Sequence, residues 1–105
     1  MKVIVIQTTC LNEKEAKKLS RVLVEKKLAA CVQILPINSY YIWENRLCND
    51  NEVLLNIKTR KSNFKTISKF ILENHSYDVP EIVVFEINMI SKDYKNFIKK
   101  NSKKQ

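Results

Sequence analysis

Hydrophobic and polar residues follow two rhythms along the chain, which predicts a mixture of strands and helices. β-branched and apolar residues run almost unbroken over residues 3–9, as in a strand. Over residues 12–27, apolar side chains recur every three or four positions among lysines and glutamates, as on one face of a helix. Asn12, with Glu15 three residues later, is typical of the capping box that opens a helix.

The middle of the chain predicts a long hairpin. Residues 31–35 and 39–44 are strand-like on either side of Pro36, which has no amide hydrogen for a sheet ladder. We therefore predict one long strand with a bulge at Pro36. Asn45-Arg46 is interpreted as the tight turn, because asparagine tolerates the left-handed conformation that such turns need. Residues 52–59 form the return strand.

The second half of the chain completes the fold. A second apolar helical face covers residues 64–75, and Pro80 then breaks the helical geometry of the residue before it. Residues 81–87 read as the fourth strand, and Ser91 caps a short last helix. The order βαββαβ predicts a ferredoxin-like α+β fold with an antiparallel four-stranded sheet and a short C-terminal helix. One domain over 1–105 fits this length.

Three of the strands are apolar on both faces, at residues 3–6, 53–55 and 82–85. A sheet with one wet face alternates apolar and polar residues, and these strands do not. The two main helices cover one face of such a sheet. A partner subunit is therefore the natural cover for the other face.

The amino-acid composition argues against several classes of function. The net charge is +8, but lysine carries most of it and the lysines are spread along the chain, so we expect no specific nucleic-acid binding. The sequence has no glycine, which excludes a P-loop and a dinucleotide-binding fingerprint. No apolar run approaches the roughly 20 residues that span a bilayer. We expect a cytoplasmic protein that does not contact the membrane.

Two residues are candidate metal ligands. His75 is the only histidine, and imidazole is a common ligand of copper and zinc. The alternative is that His75 simply favours the dipole at the end of a helix. Cys10 stands near the start of a helix, where a thiol is acidified and can bind Cu(I). The alternative is a small residue in a tight loop.

Polar residues near strand ends form a second candidate site. Lys58, Tyr77, Asp78 and Glu81 can line a cleft that binds a small anion or metabolite, or they can form structural hydrogen bonds. No pair of nucleophile and base is evident, so we do not predict an enzyme.

Five segments stand out along the chain: Thr8-Thr9-Cys10, Leu28-Ala29-Ala30-Cys31-Val32, Tyr41-Ile42-Trp43-Glu44, Glu52-Val53-Leu54-Leu55 through Ile57-Lys58-Thr59, and His75-Ser76-Tyr77-Asp78-Val79-Pro80-Glu81-Ile82. In this order and spacing they together resemble the CutA family of divalent-cation-tolerance proteins over nearly the whole chain. The second and the last are the most specific of the five. Thr8 stands where some members carry a cysteine proposed as a ligand, and Asn74 where some have a second histidine.

The resemblance implies a homotrimer whose sheets pack around a threefold axis and whose hairpins pair across subunits. It also implies tolerance of divalent metals, copper above all, and a fold and trimer similar to PII-type signalling proteins. Tyr41 and Trp43 then belong to the trimer interface. The alternative function is a PII-like sensor that binds a small metabolite in the cleft between subunits.

Overall fold

Four strands and three helices account for most of the chain in the computed structural model, which describes residues 1–105. The elements are β1 (Val3–Cys10), α1 (Glu13–Glu25), β2 (Cys31–Trp43), β3 (Arg46–Arg60), α2 (Phe64–Asn74), β4 (Val83–Ile87) and α3 (Lys92–Asn101). The strands form one sheet in the order β2-β3-β1-β4, and every neighbouring pair is antiparallel. This is the predicted ferredoxin-like α+β arrangement, which is confirmed.

Local sequence signals set the helix ends. The Asn12 side chain accepts a hydrogen bond from the Glu15 amide at 2.9 Å, and so caps α1. Ser91 caps α3 in the same way. The prediction extended α1 to Lys27, but Lys27 takes φ 56°, and this left-handed residue follows a helix that ends at Glu25.

The predicted bulge at Pro36 is wrong. Pro36 pairs with Val53 in a register that runs from Cys31 to Trp43 without a skipped residue. The physical reason is that β2 is an edge strand, bonded to β3 alone, and an edge strand tolerates a proline whose nitrogen faces away from the ladder.

The tight turn of the hairpin lies one residue earlier than predicted. Trp43 pairs with Arg46, so Glu44 and Asn45 are the two turn residues. Both have positive φ, 51° and 62°, as a type I′ turn requires. The right-handed twist of the two strands favours this turn, even though only Asn45 suits it.

The main core lies between α1, α2 and one face of the sheet. Alternate residues of β1 and β3 point into it, and aliphatic residues of the two helices meet them there. Its fully buried aliphatic side chains include Ile4, Ile6, Leu23, Leu55, Ile57, Ile67 and Ile71. The position of both main helices on one face is therefore as predicted.

The other face of the sheet is covered only at one end. There α3 packs Ile98 against Val3 and Ala30, so the expectation that helices cover one face alone is wrong in part. The rest of this face, which we call the open face, keeps Leu35 and Phe85 each 48 % exposed. None of the three helices combines the length and the apolar character that a membrane span requires.

Candidate metal centre

The site lies at the end of β1, which extends beyond the last residue that pairs with β4. β4 pairs with residues 3–7 of β1, whereas β3 pairs with the strand as far as Cys10. The last three residues of β1 therefore have a strand on one side only. The side chain of His75, which follows α2 directly, occupies the free side, and its Nε2 lies 2.6 Å from the carbonyl oxygen of Thr9.

Both nitrogens of the His75 ring are engaged. The amide of Tyr77 donates to Nδ1 at 3.0 Å. A backbone amide can only donate, so Nδ1 accepts and the neutral ring carries its hydrogen on Nε2, from which it donates to Thr9. The side chain is fully buried. It therefore holds β1 to the 75–82 loop, and His75 also stands at the C-cap of α2, the helix end at which the alternative interpretation placed it.

Cys10, Glu15 and His75 converge at this point. One potential ligand atom from each, the thiol sulfur, a carboxylate oxygen and a ring nitrogen, lies within 4.8 Å of the other two. Cys10 is fully buried, and Glu15 Oε1 lies 3.9 Å from His75 Nε2. The structure thus brings together Cys10 and His75, the two ligands predicted from sequence.

The charge state of Cys10 differs from the prediction. Burial, and then the Glu15 carboxylate, raise the pKa of the Cys10 thiol to about 12. The expected acidification at the start of a helix is therefore wrong, because desolvation and a nearby carboxylate both disfavour the thiolate. Burial also acts to raise the pKa of Glu15, but contacts with Ser76, the Leu11 amide and His75 bring it below its ordinary value.

Sequence reasoning missed Glu15 as a member of the cluster. Its carboxylate accepts from the Leu11 amide at 3.3 Å, one residue before the Asn12 position of an ordinary capping box. The capping pattern held the signal, since a glutamate at this position reaches back to the residues that precede the helix. Here those residues follow Cys10 directly.

A second group of polar residues lies close by. Tyr77 donates its hydroxyl to Glu52 at 2.7 Å, and Glu52 is a carboxylate only 8 % exposed on β3. Burial first, and then Glu52, raise the pKa of both Tyr77 and Glu81. Glu52 was not singled out from sequence. The only signal for it was its polarity in an apolar return strand.

The other predicted residues lie elsewhere. Lys58 is six residues further along β3 than Glu52, where its ammonium contacts the Tyr94 hydroxyl at 3.4 Å. Within one chain Lys58 therefore does not meet Tyr77 or Glu81, and Asp78 is exposed on the loop. Tyr41 bonds through its hydroxyl to Asp50.

The two residues predicted for the trimer interface lie on the outer half of the hairpin. Tyr41 is 39 % exposed and Trp43 is 45 % exposed. The strand register places both on the open face of the sheet.

Comparison with known proteins assigns this architecture to a family. The family model for the CutA1 divalent ion tolerance protein matches residues 4–101. The chain belongs to the CutA1 family. The crystal structure of CutA1 from Oryza sativa superposes with a TM-score of 0.96 at 36 % identity, and the match covers 100 % of this chain and 97 % of that one.

Two curated relatives of different lengths illustrate the match. "Protein CutA, chloroplastic" of Arabidopsis thaliana is 41 % identical over 101 residues, which is 95 % of this chain and 56 % of that protein. The "Divalent-cation tolerance protein CutA" of Thermus thermophilus is 34 % identical over 99 residues, covering 93 % and 96 %. The chain thus spans about half the length of the first curated CutA relatives it matches and almost all of the bacterial one.

Proposed function

We propose that this CutA1-family protein binds a metal ion, copper above all, at Cys10, Glu15 and His75, and that this binding underlies a response to divalent metals. The observation that carries the proposal is the convergence of three ligand atoms within 4.8 Å. Ligands bonded to one zinc or copper ion at about 2.0–2.3 Å lie some 3–4 Å apart, so a small contraction closes the site. Thiolate and imidazole are ligands that suit copper, and other divalent cations are further candidates for this site.

Binding has a defined structural consequence. An ion on Nε2 replaces the hydrogen that now points to Thr9, so the neutral His75 ring must carry its hydrogen on Nδ1. Nδ1 then no longer accepts from the Tyr77 amide, which must turn away. Loss of the Cys10 proton lets the thiolate and Glu15 offset the charge of a divalent ion. Metal occupancy is thereby coupled to the loop that begins at His75.

A titration of the purified protein tests the site. Cu(I) under nitrogen, and Zn²⁺ in parallel, compete with a chromophoric chelator against wild type, Cys10→Ser, Glu15→Gln and His75→Gln. Each variant should lose more than the roughly 10–100-fold in affinity that removal of an outer-shell partner causes. Cys48→Ser on the hairpin is the control and should match wild type. Equal affinity in wild type and the Cys10→Ser and His75→Gln variants would contradict the proposed site.

We further propose that residues 1–105 act as one domain within a cytoplasmic homotrimer. The open face supports this, because exposed Leu35 and Phe85 continue along the sheet to Tyr41 and Trp43. A partner sheet against this face would bury them all. The names of relatives vary in location, since the Arabidopsis protein is called chloroplastic and the Archaeoglobus fulgidus one periplasmic.

The trimer is tested at Trp43. Truncation of an aromatic interface anchor can raise the free energy of the assembly by about 2 kcal/mol or more. Sedimentation equilibrium should therefore show Trp43→Ala dissociating at concentrations where wild type stays trimeric. Leu72→Ala removes a side chain that is 60 % exposed on α2, and it serves as the control. A wild-type mass of one chain at micromolar concentration would refute the trimer.

The second candidate function is a non-enzymatic, PII-like sensor of a small metabolite at the cleft between subunits. The group formed by Glu52, Tyr77 and Glu81 favours it, because these polar side chains lie beside the hairpin. Asp78 is exposed on the same loop as Tyr77, and Lys58 would join this group only from a neighbouring subunit. Thermal-shift screening of small anions and nucleotides, with Tyr77→Phe as the matched variant, distinguishes this function from metal binding. No specific nucleic acid is expected as a partner.

A further inference from the structure

A groove opens between α1 and α2 on the outer side of the helices. Its volume is about 570 Å³, within the range of small-molecule sites. The apolar part of its lining includes half-buried Phe70, and Lys14, Lys18 and Lys26 stand around it. Glu15 also lines the groove.

The lysines of the groove are unpaired. Lys14, Lys18 and Lys26 are exposed, and none has a carboxylate within ion-pair distance. On the neighbouring stripe of the same helix, Lys17 is held by Glu13 at 2.8 Å. Glu13 and Glu25 pair with Lys17 and Arg21, so they neutralise charges outside the groove. Three lysines against the single carboxylate of Glu15 leave the groove with a net positive charge, in a chain whose net charge is already +8.

Glu15 belongs both to this groove and to the cluster of potential metal ligands that it forms with Cys10 and His75. Cys10 and the His75 ring are fully buried, whereas the Glu15 side chain is 17 % exposed. Solvent therefore reaches the cluster from the groove at Glu15, beside Lys14 and Lys18. An incoming bare cation would have to pass ammonium groups that repel it, while an anion would be attracted.

On the basis of the proposed metal-binding function, we infer that the cation reaches Cys10, Glu15 and His75 as a small anionic carboxylate chelate held by the lysines of the α1–α2 groove. Glu15 makes the first exchange, in which one metal–carboxylate bond of the chelate breaks as the metal–Glu15 bond forms. Cys10 and His75 then replace the remaining chelate ligands. The Cys10 proton passes to the freed carboxylate or to solvent, and the His75 hydrogen moves from Nε2 to Nδ1.

Stopped-flow loading tests the inference with Co²⁺, which absorbs when bound to a thiolate. The metal is supplied as the aquo ion in one arm and as the citrate complex in the other, at low ionic strength. The variants are Lys14→Glu/Lys18→Glu and, as a control of equal charge change, Lys99→Glu/Lys100→Glu on α3. Each replacement of a lysine by a glutamate lowers the net charge by two units, so the net charge of both double variants falls from +8 to +4. A Lys14→Gln/Lys18→Gln variant halves the change, and circular dichroism checks that each variant is folded.

The groove variant should load from cobalt citrate about 10-fold or more slowly than the control, within the 10–10³-fold range of electrostatic steering. Its loading from the aquo ion should be unchanged or faster, and the glutamine variant should lie between. Equal loss in groove and control variants would overturn the inference, as would faster loading of wild type from the aquo ion. Failure of the metal site itself looks different, because cobalt, zinc and Cu(I) would then all fail to load wild type. That result would refute both proposals.

Discussion

Replacing His75 by alanine tests whether the two hydrogen bonds of its ring stabilise the metal-free protein. The ring satisfies the Thr9 carbonyl at 2.6 Å and the Tyr77 amide at 3.0 Å. Each buried backbone group left without its partner costs about 1–3 kcal/mol. The Tyr77 amide is only partly buried, so water will replace part of the hydrogen bonding that it loses. We therefore expect His75→Ala to lower the free energy of unfolding by about 2–4 kcal/mol.

The measurement is urea unfolding of the metal-free protein in chelator, followed by circular dichroism at one fixed protein concentration, since an oligomer unfolds at a concentration-dependent midpoint. In a chain of this size, a loss of this order lowers the melting temperature by roughly 10 °C or more. His75→Gln can still donate to Thr9, so it should recover about half of the loss. Lys65→Ala, at an exposed position of the same helix, is the control and should change stability by less than about 0.5 kcal/mol.

A His75→Ala variant within about 0.5 kcal/mol of wild type would refute this account of the ring. The result also governs how metal titrations are understood. If the ring stabilises the metal-free fold as described, the alanine variant loses structure and ligand together. His75→Gln is then the better variant for measuring what the imidazole contributes to metal affinity.

Three further changes test the surroundings of the site and the hairpin. Tyr77→Phe removes the donor to buried Glu52, and it should cost about 1.5–3 kcal/mol in urea unfolding at pH 7, as for a hydrogen bond to a charged group. An unchanged midpoint would contradict this bond. The raised pKa of Glu81 means that its ionised form disfavours folding at pH values above that pKa. Glu81→Gln should therefore stabilise the protein at pH 7. This advantage should disappear below about pH 4, where the Glu81 carboxyl is protonated in both the folded and the unfolded protein. The opposite pH trend would rule out the assigned cause. Glu44→Asn should raise stability by up to about 1 kcal/mol, because asparagine tolerates the left-handed turn conformation better, and a loss would speak against the turn geometry.

Local patterns in the sequence determined the order of the elements. Apolar periodicity and the caps Asn12 and Ser91 act between residues a few positions apart, so they can be read without the fold. The bulge prediction failed because the effect of Pro36 depends on whether its strand lies at the sheet edge. That property is decided by which strands pair across the sheet. The contact of α3 with the open face is likewise a long-range outcome.

For the site, the sequence by itself determined which residues had suitable chemistry, Cys10 and His75. Only the tertiary structure decided that they meet, since His75 lies 66 residues from the Thr9 carbonyl that it contacts. The fold also brought in Glu15 as the third member and raised the pKa of Cys10. The physical reason is that desolvation and nearby charge depend on which surfaces pack together in three dimensions, and a residue's position along the chain does not reveal this.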